Sequence, residues 1–446
     1  MSNSSKGILV GSISGFPEFL PKDQIAFNRC LDKIKKEFEA FGYSPMDTPA
    51  VEKTVTLLSK GNDSEIYGLT RLSAEEGGKK ELGLRFDLTV PLARYVAEHY
   101  GQLVFPFKRY HIAPVWRGER PQAGRYRQFY QCDIDVISET ELSLAYDAEL
   151  LGIVYRIFTA IGLPNYRIKI NNRKILVGLM QEFGVEESCL EAAIRQIDKK
   201  EKIDAAAMAR GLQEIGVSGS AVEKILSFLD RKGSTAAMLS YLEGFSHTLL
   251  LEEGLDELQE VLRLAAAFRV PADVIEVDPT LARGLNYYTG TIYEVKWIDC
   301  PELGTICAGG RYQNLAATFT RKLLPGVGIS IGVSRLIPKM IEKGLILSET
   351  ETYARVLVTV QDRNFLSQYI TIAEKIRQHG FGAEVYLQDK PLPNQIKYAD
   401  RKGFEVVVIA NGEELRQERL NFKILKQQRQ ETGTLDLLIK YLKTSV

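Results

Sequence analysis

The sequence predicts a multidomain α+β protein, in which a sheet domain is interrupted by a helical insertion and followed by a separate α/β module. Three observations predict it. Residues Lys108 to Glu119 and Arg125 to Val136 alternate apolar and polar side chains on either side of "RPQAG", the pattern of an antiparallel hairpin. Residues 175 to 270 switch to helical composition and spacing, as in "EKIDAAAMARGLQEIG" and "SAVEKILSFLD", between flanks that read as strands. The last hundred residues alternate β-branched runs ("ARVLVTV", "FGAEVYL", "FEVVVIA") with helical segments, the βαβ rhythm of a parallel or mixed sheet. A chain of 446 residues exceeds one ordinary core, so two or three domains are expected.

In chain order, Ile25, Phe27, Leu31, Ile34, Phe38 and Phe41 recur at three- and four-residue steps and predict a helix from Asp23 to about Phe41. "GYSPMDTPAVE" breaks it into an extended segment. "LGLRFDLTVPLARYVAEHY" reads as a strand ending near Asp87, with Thr89 capping a helix that starts at Val90 and carries Pro91 in its first turn. "GVGISIGVSRL", 326 to 336, reads as a strand running into a helix that carries Arg335, and 343 to 355 as a linker.

Lys+Arg and Asp+Glu are 57 each, so whole-chain charge points to neither nucleic acid nor an acidic membrane, and a polyanion site must be local. Five cysteines without a C-x-x-C pair suggest neither a disulfide framework nor a zinc cluster. With a broken N-terminal apolar stretch and no run of membrane-spanning length, the chain reads as cytoplasmic. Walker A, G-x-G-x-x-G and H-E-x-x-H patterns are missing, which leaves the common phosphate-cradle and zinc-hydrolase readings without support.

The hairpin carries the strongest chemical signal. One face of its first strand bears Arg109, His111, Ala113, Val115, Arg117 and Glu119, and one face of its second bears Arg125, Arg127, Phe129, Gln131, Asp133 and Asp135. A half-solvated sheet would satisfy the alternation equally well. Arg, Phe, Gln and paired carboxylates are nonetheless the inventory of a polar pocket: Arg117 can fork onto phosphate, Phe129 can stack a base, and Glu119 and Asp135 can accept N–H donors. Pro114 signals an edge or a bulge. Farther on, Gly309 and Gly310 in a strand-like run indicate a bulge or a close backbone approach. Tyr287 and Tyr288 read as core aromatics or site residues, and Arg283 as a surface or a site charge.

Taken together, these stretches resemble the histidyl-tRNA synthetases, a family of class II aminoacyl-tRNA synthetases, over nearly the whole length. "FGYSPMDTPAVE" resembles class II motif 1, "VWRGERPQAGRYRQFYQCDID" motif 2 and "GVGISIGVSRL" motif 3, while "LARGLNYYTG" and "AGGRY" resemble the two signatures of the histidine enzyme. The resemblance implies that Arg117 binds the ATP α-phosphate, Glu119 the adenine amino group and Arg335 the γ-phosphate end, with Phe129 stacked on adenine. It places Arg283 between the histidine carboxylate and the α-phosphate, Asp87, Thr89 and Gln131 at the α-amino group, and Asp135 and Tyr288 at the imidazole, with Tyr287 also among the histidine-binding residues. Arg117, Arg283 and Gln131 thus become the expected catalytic residues, and Gln122 and Arg120 the contacts to the tRNA acceptor end. Asp87 and Asp135 stand where many bacterial members carry Glu, and Asn286 and Gln313 where Asp is common.

By the same resemblance, 1–174 and 271–345 form an antiparallel-sheet catalytic domain with flanking helices, 175–270 the helical insertion and 354–446 an anticodon-binding α/β domain. The implied partners are ATP with Mg2+, L-histidine, tRNA(His) and a second copy of the chain; no residues are assigned to hold the metal. A catalytically silent regulatory relative of a phosphoribosyltransferase and a plain RNA-binding protein are the other two readings. Residues 354 to 446 and Arg117, Arg283 and Arg335 weigh against the former, and the near-complete ATP site against the latter.

Overall fold

The structure, a computed structural model, describes residues 11–60, 65–73, 80–120, 124–245, 248–282 and 288–445. The chain divides into two compact units, Met1–Glu18 with Cys30–Leu345, and Phe19–Arg29 with Ile346–Val446. Among the described residues, no helix is long and apolar enough to cross a membrane.

The first unit is built on a sheet whose strands are far apart in sequence. Helix α1 (Pro21–Ala40) leads into β1 (Ser44–Pro45), β2 (Val51–Lys53) and the single turn α2 (Thr54–Leu57). After β3 (Gly68–Leu69) and β4 (Leu82–Leu84) come α3 (Thr89–His99) and the hairpin of β5 (Phe107–Trp116) and β6 (Gln128–Ile137). Helix α4 (Ala145–Ile161) and β7 (Tyr166–Asn172) precede a helical block: α5 (Arg173–Glu182), α6 (Glu187–Ile197), α7 (Ala205–Glu214), α8 (Gly219–Leu229), α9 (Thr235–Glu243) and α10 (Leu249–Ala267). The chain then returns to the sheet through β8 (Ile275–Val277), β9 (Tyr288–Trp297), β10 (Thr305–Tyr312) and β11 (Gly326–Gly332), and enters α11 (Val333–Glu342). Strand order is β1-β5-β6-β11-β10-β9-β7-β8, antiparallel between β5 and β7 and parallel at both outer pairs, while β2, β4 and β3 form a small separate sheet.

Alternation explains the hairpin. Arg109 pairs with Asp135, His111 with Asp133, Ala113 with Gln131 and Val115 with Phe129, so the two polar faces coincide. Regular pairing stops at Trp116 and Gln128, which leaves Arg117, Glu119 and Arg125 on the connection rather than on strands as expected; only the bond from the Arg117 N–H to the Arg127 carbonyl continues the register, at 2.8 Å. Pro114 costs the ladder nothing. The even-numbered residues of β5 turn their backbone groups away from β6, the Tyr110 carbonyl accepting from Met46 and the Trp116 N–H donating to Arg85, so the missing Pro114 donor lies on the outer edge.

The helix after β4 is capped differently from the expectation. It begins at Thr89, one residue early, and the Val90 N–H donates to Asp87 Oδ1 at 2.9 Å, so Asp87 rather than Thr89 closes the helix start. Glycines permit the central strands to approach. A Cβ on Gly309 would sit 2.1 Å from the Gly328 carbonyl, and one on Gly328 would sit 1.9 Å from Asp135 Oδ1. For Gly309, the backbone-approach reading is therefore the physical one.

The second unit carries β12 (Val356–Val358), α12 (Leu366–Gln378), β13 (Ala383–Val385), α13 (Leu392–Lys402), β14 (Val406–Ile409), α14 (Gly412–Arg416), β15 (Leu420–Ile424), β16 (Arg429–Gly433) and α15 (Leu435–Thr444). Its order is β13-β12-β14-β15-β16, parallel around β12 and antiparallel beyond β14. The mixed sheet follows from the βαβ rhythm, whereas β15, LNFKI, alternates apolar and polar residues and β16, RQETG, is polar, and the β-branched criterion detects neither.

Candidate active site

On one face of the large sheet, β6 and β11 and the connection between β5 and β6 surround a cleft of about 590 Å³. Arg117, Glu119, Phe129 and Gln131 of the hairpin region line it together with Ser330 of β11 and Arg335 of α11. Residues separated by some two hundred positions meet because β11 pairs with β6 along its length, Gly332 opposite Gln131 and Gly326 opposite Ile137.

Each charged group in the cleft is oriented by the fold. Arg117 Nε donates to the Phe86 carbonyl at 3.0 Å, and its guanidinium carbon lies 5.1 Å from the Phe129 ring centroid. Phe129 in turn packs on Leu88, Ala113 and Val115, which holds its ring as one wall. Glu119 Oε2 is 3.6 Å from Arg125 Nη1. Arg335 Nη1 donates to the Leu303 carbonyl at 3.1 Å, which ties α11 to the turn before β10. Gln131 Nε2 donates to Ser330 Oγ at 2.7 Å.

A second polar group adjoins this one on the same sheet face. Arg109 is fully buried, its Nη2 2.6 Å from Asp135 Oδ2, and the Tyr312 hydroxyl donates to Asp135 Oδ1 at 3.0 Å. His111 Nε2 meets Asp47 Oδ1 at 2.8 Å. Burial above all, then the positive charges of Arg109 and Arg85, pushes the His111 imidazole down to about 4, so it is neutral at physiological pH. Asp87 is buried in front of α3, and Thr89 is half-buried at its start. Tyr288 packs with Tyr312 and Leu92, its ring 2.8 Å from where a Cβ on Gly310 would lie.

Of the residues expected from the sequence, Arg117, Glu119, Phe129, Gln131 and Arg335 come together in the cleft, whereas Asp87, Thr89, Asp135 and Tyr288 are not among its lining residues. Arg120 is exposed. Arg283, Tyr287 and Gln122 lie outside the described residues, as does Asn286, and Gln313 is exposed just beyond β10. Sequence reasoning missed Arg109, Tyr312 and Ser330. Arg109 lies on the polar face that alternation gives it, opposite Asp135; that Tyr312 of β10 and Ser330 of β11 join this face only the strand order reveals.

Residues 15–336 match the family model described as histidyl-tRNA synthetase, and 354–445 that described as anticodon binding domain. The histidine--tRNA ligase of Clostridium tetani is 39% identical over 437 residues, covering 97% of this chain and 98% of the relative. That of Xanthomonas campestris pv. campestris is 42% identical over 424 residues, covering 90% and 89%. The crystal structure of histidyl-tRNA synthetase from Nostoc sp. PCC 7120 superposes with a TM-score of 0.89 at 36% identity, over 98% of this chain and all of that one.

Proposed function

The chain belongs to the histidyl-tRNA synthetase family, and we propose from this that it activates L-histidine with ATP to histidyl-adenylate and transfers the histidyl group to the 3′ end of tRNA(His), releasing diphosphate and AMP. The observation that carries the reading is the cleft in which Arg117, Phe129 and Glu119 of the hairpin region meet Arg335 of α11. An adenine ring fits against Phe129, with Glu119 accepting from its amino group; Arg117 lies where the α-phosphate would follow, and Arg335 takes the far phosphates.

Attack of the histidine carboxylate on the α-phosphorus builds charge on the phosphoryl oxygens while diphosphate leaves. Fixed cations there lower the barrier because they bind the transition state more strongly than the ground state. Arg117 supplies one, and Arg283, by family resemblance, the other. The reaction of this family is ATP-dependent and generally uses magnesium. Among the described residues, no three His, Cys, Asp or Glu side chains gather to hold a metal. Magnesium would arrive on the triphosphate and neutralise phosphate charge there. Asp87, Thr89 and Gln131 would receive the α-ammonium and Asp135 and Tyr288 the imidazole, with Tyr287 also binding the histidine. Gln122 and Arg120 would meet the acceptor end. The homodimer, the cytoplasmic location, the role of 175–270 as an inserted helical domain and anticodon reading by 354–446 belong to the same proposal.

Histidine-dependent pyrophosphate exchange, run beside the other amino acids, tests it. Exchange with histidine alone is expected, and a folded chain without exchange would favour the silent regulatory or the RNA-binding reading. Asp135→Asn should raise the KM for histidine by the equivalent of about 1–3 kcal/mol while leaving that for ATP unchanged. It should also lower the melting temperature, since Arg109, fully buried, loses its counter-charge. Equal losses for both substrates would restrict Asp135 to supporting the fold.

A further inference from the structure

Three side chains from the motif 2 and motif 3 stretches adjoin on the sheet face. Gln131 Nε2 donates to Ser330 Oγ at 2.7 Å. Ser330 stands opposite Asp133 in the β6–β11 register, where its side chain lowers the Asp133 carboxyl against the effect of burial. Asp133 is only 3% exposed, and Gln131 Oε1 and Asp133 Oδ1 are buried oxygens without a hydrogen-bond partner among the described residues.

A hydroxyl has one proton to give, and an ionised carboxylate can only accept. Ser330 must therefore donate to Asp133 and receive from Gln131. The Gln131 NH₂ is thereby held on Ser330, and Oε1 is the end left for the cleft that Gln131 lines. We infer that Asp133 is a positioning residue which, acting through Ser330, sets the polarity of the Gln131 amide so that its carbonyl oxygen, rather than its N–H, meets the substrate α-ammonium. The inference rests on the proposed contact of Gln131 with that ammonium. With the relay broken, the amide is free to turn over and present N–H donors to a cation that offers only donors itself.

The groups facing Asp133 give the relay a pH dependence. They are Arg109 and His111 from β5, Asp135 from β6 and Asp87 ahead of α3, while the buried thiols of Cys132 and Cys307 lie on the opposite face and are neutral. Burial above all raises the Asp133 carboxyl to about 7, with Arg109 and Ser330 opposing and Asp135 and Asp87 adding to the rise. Once protonated, Asp133 donates to Ser330, whose proton then turns to Gln131 Oε1 and reverses the amide. A bound ammonium favours ionised Asp133, so binding releases a proton below that pH and histidine affinity falls as pH falls through about 7. His111, held down to about 4, stays neutral in this window.

The test is pyrophosphate exchange by the full-length protein, its Asp133→Asn and Ser330→Ala variants and the double variant, across neutral pH. Each single change should raise the KM for histidine on the order of tenfold or more with the KM for ATP unchanged. The double variant should be no worse than the worse single one, because both cut the same chain. Substrate imidazole titrates identically in every variant, so the ratio of parent to Asp133→Asn isolates the relay; the acid-side rise in the histidine KM should be steeper in the parent. Additive losses, equal rises in both KM values or superimposable pH profiles would overturn the inference. Should Asp133→Asn fail to fold, Ser330→Ala, which removes a single oxygen, decides: a parent-like histidine KM sinks the relay. A parent with no histidine-dependent exchange would sink the reading of the site, and this inference with it.

Discussion

Arg117→Ala is expected to slow histidine-dependent pyrophosphate exchange by roughly 10²- to 10³-fold while leaving the fold intact, the scale of losing one preorganised donor to a developing charge. The side chain is oriented before any substrate arrives, because its Nε is spent on the Phe86 carbonyl and Phe129 packs beside the guanidinium. That fixes the remaining donors without reorganisation at the moment of reaction. Arg117→Lys keeps the charge and loses the fork, so it should recover only part of the rate. Burst measurements of adenylate formation separate this loss from slower release. A folded Arg117→Ala protein with near-parent exchange would remove Arg117 from the transition state.

Arg311→Ala should cost about 3–5 kcal/mol of stability, the penalty for leaving a buried counter-charge alone. Although Arg311 belongs to the AGGRY stretch that resembles a histidine signature, it extends to the other side of β10, toward α4. Its Nε lies 3.1 Å from both Asp147 oxygens, Nη1 donates to the Leu142 carbonyl at 2.8 Å and Nη2 to that of Ser143 at 2.9 Å. Asp147 is fully buried, and burial raises its carboxyl even against the pull of Arg311. Without the arginine the carboxyl rises further, so the folded state holds its proton more tightly than the unfolded chain. Stability of the variant should then fall as pH rises above the ordinary carboxylate range, and its deficit should be larger in mild alkali than in mild acid. Denaturant unfolding at two pH values measures this, and a deficit independent of pH would mean that Asp147 is not the group left unpaired.

The hairpin was legible because its information is local. A period of two sorts its side chains into faces, and the connection at 120–124 is compatible with the register that pairs Arg109 with Asp135. The helical block and the βαβ rhythm of the second unit were legible for the same reason. Asp87 as the cap was not, since it depends on where α3 begins, one residue ahead of the apparent start. Nor were β15 and β16, since β15 pairs on the edge that β14 offers and the polar β16 on the edge that β15 offers in turn.

By itself, then, the sequence determined which residues share a strand face, which segments are helical and, through motif resemblance, which side chains are proposed for ATP and histidine chemistry. Tertiary structure alone decided that β11 lies against β6 and β10 against β11, bringing Tyr312 to Asp135, Ser330 to Gln131 and Asp133, and Arg335 to the cleft of Arg117. The physical reason is range. Alternation and helical periodicity act between near neighbours along the chain, whereas strand order closes loops of nearly two hundred residues, and it is fixed by what fits: the bare glycine backbones at 309 and 328 that admit a neighbouring carbonyl and a carboxylate where any side chain would collide.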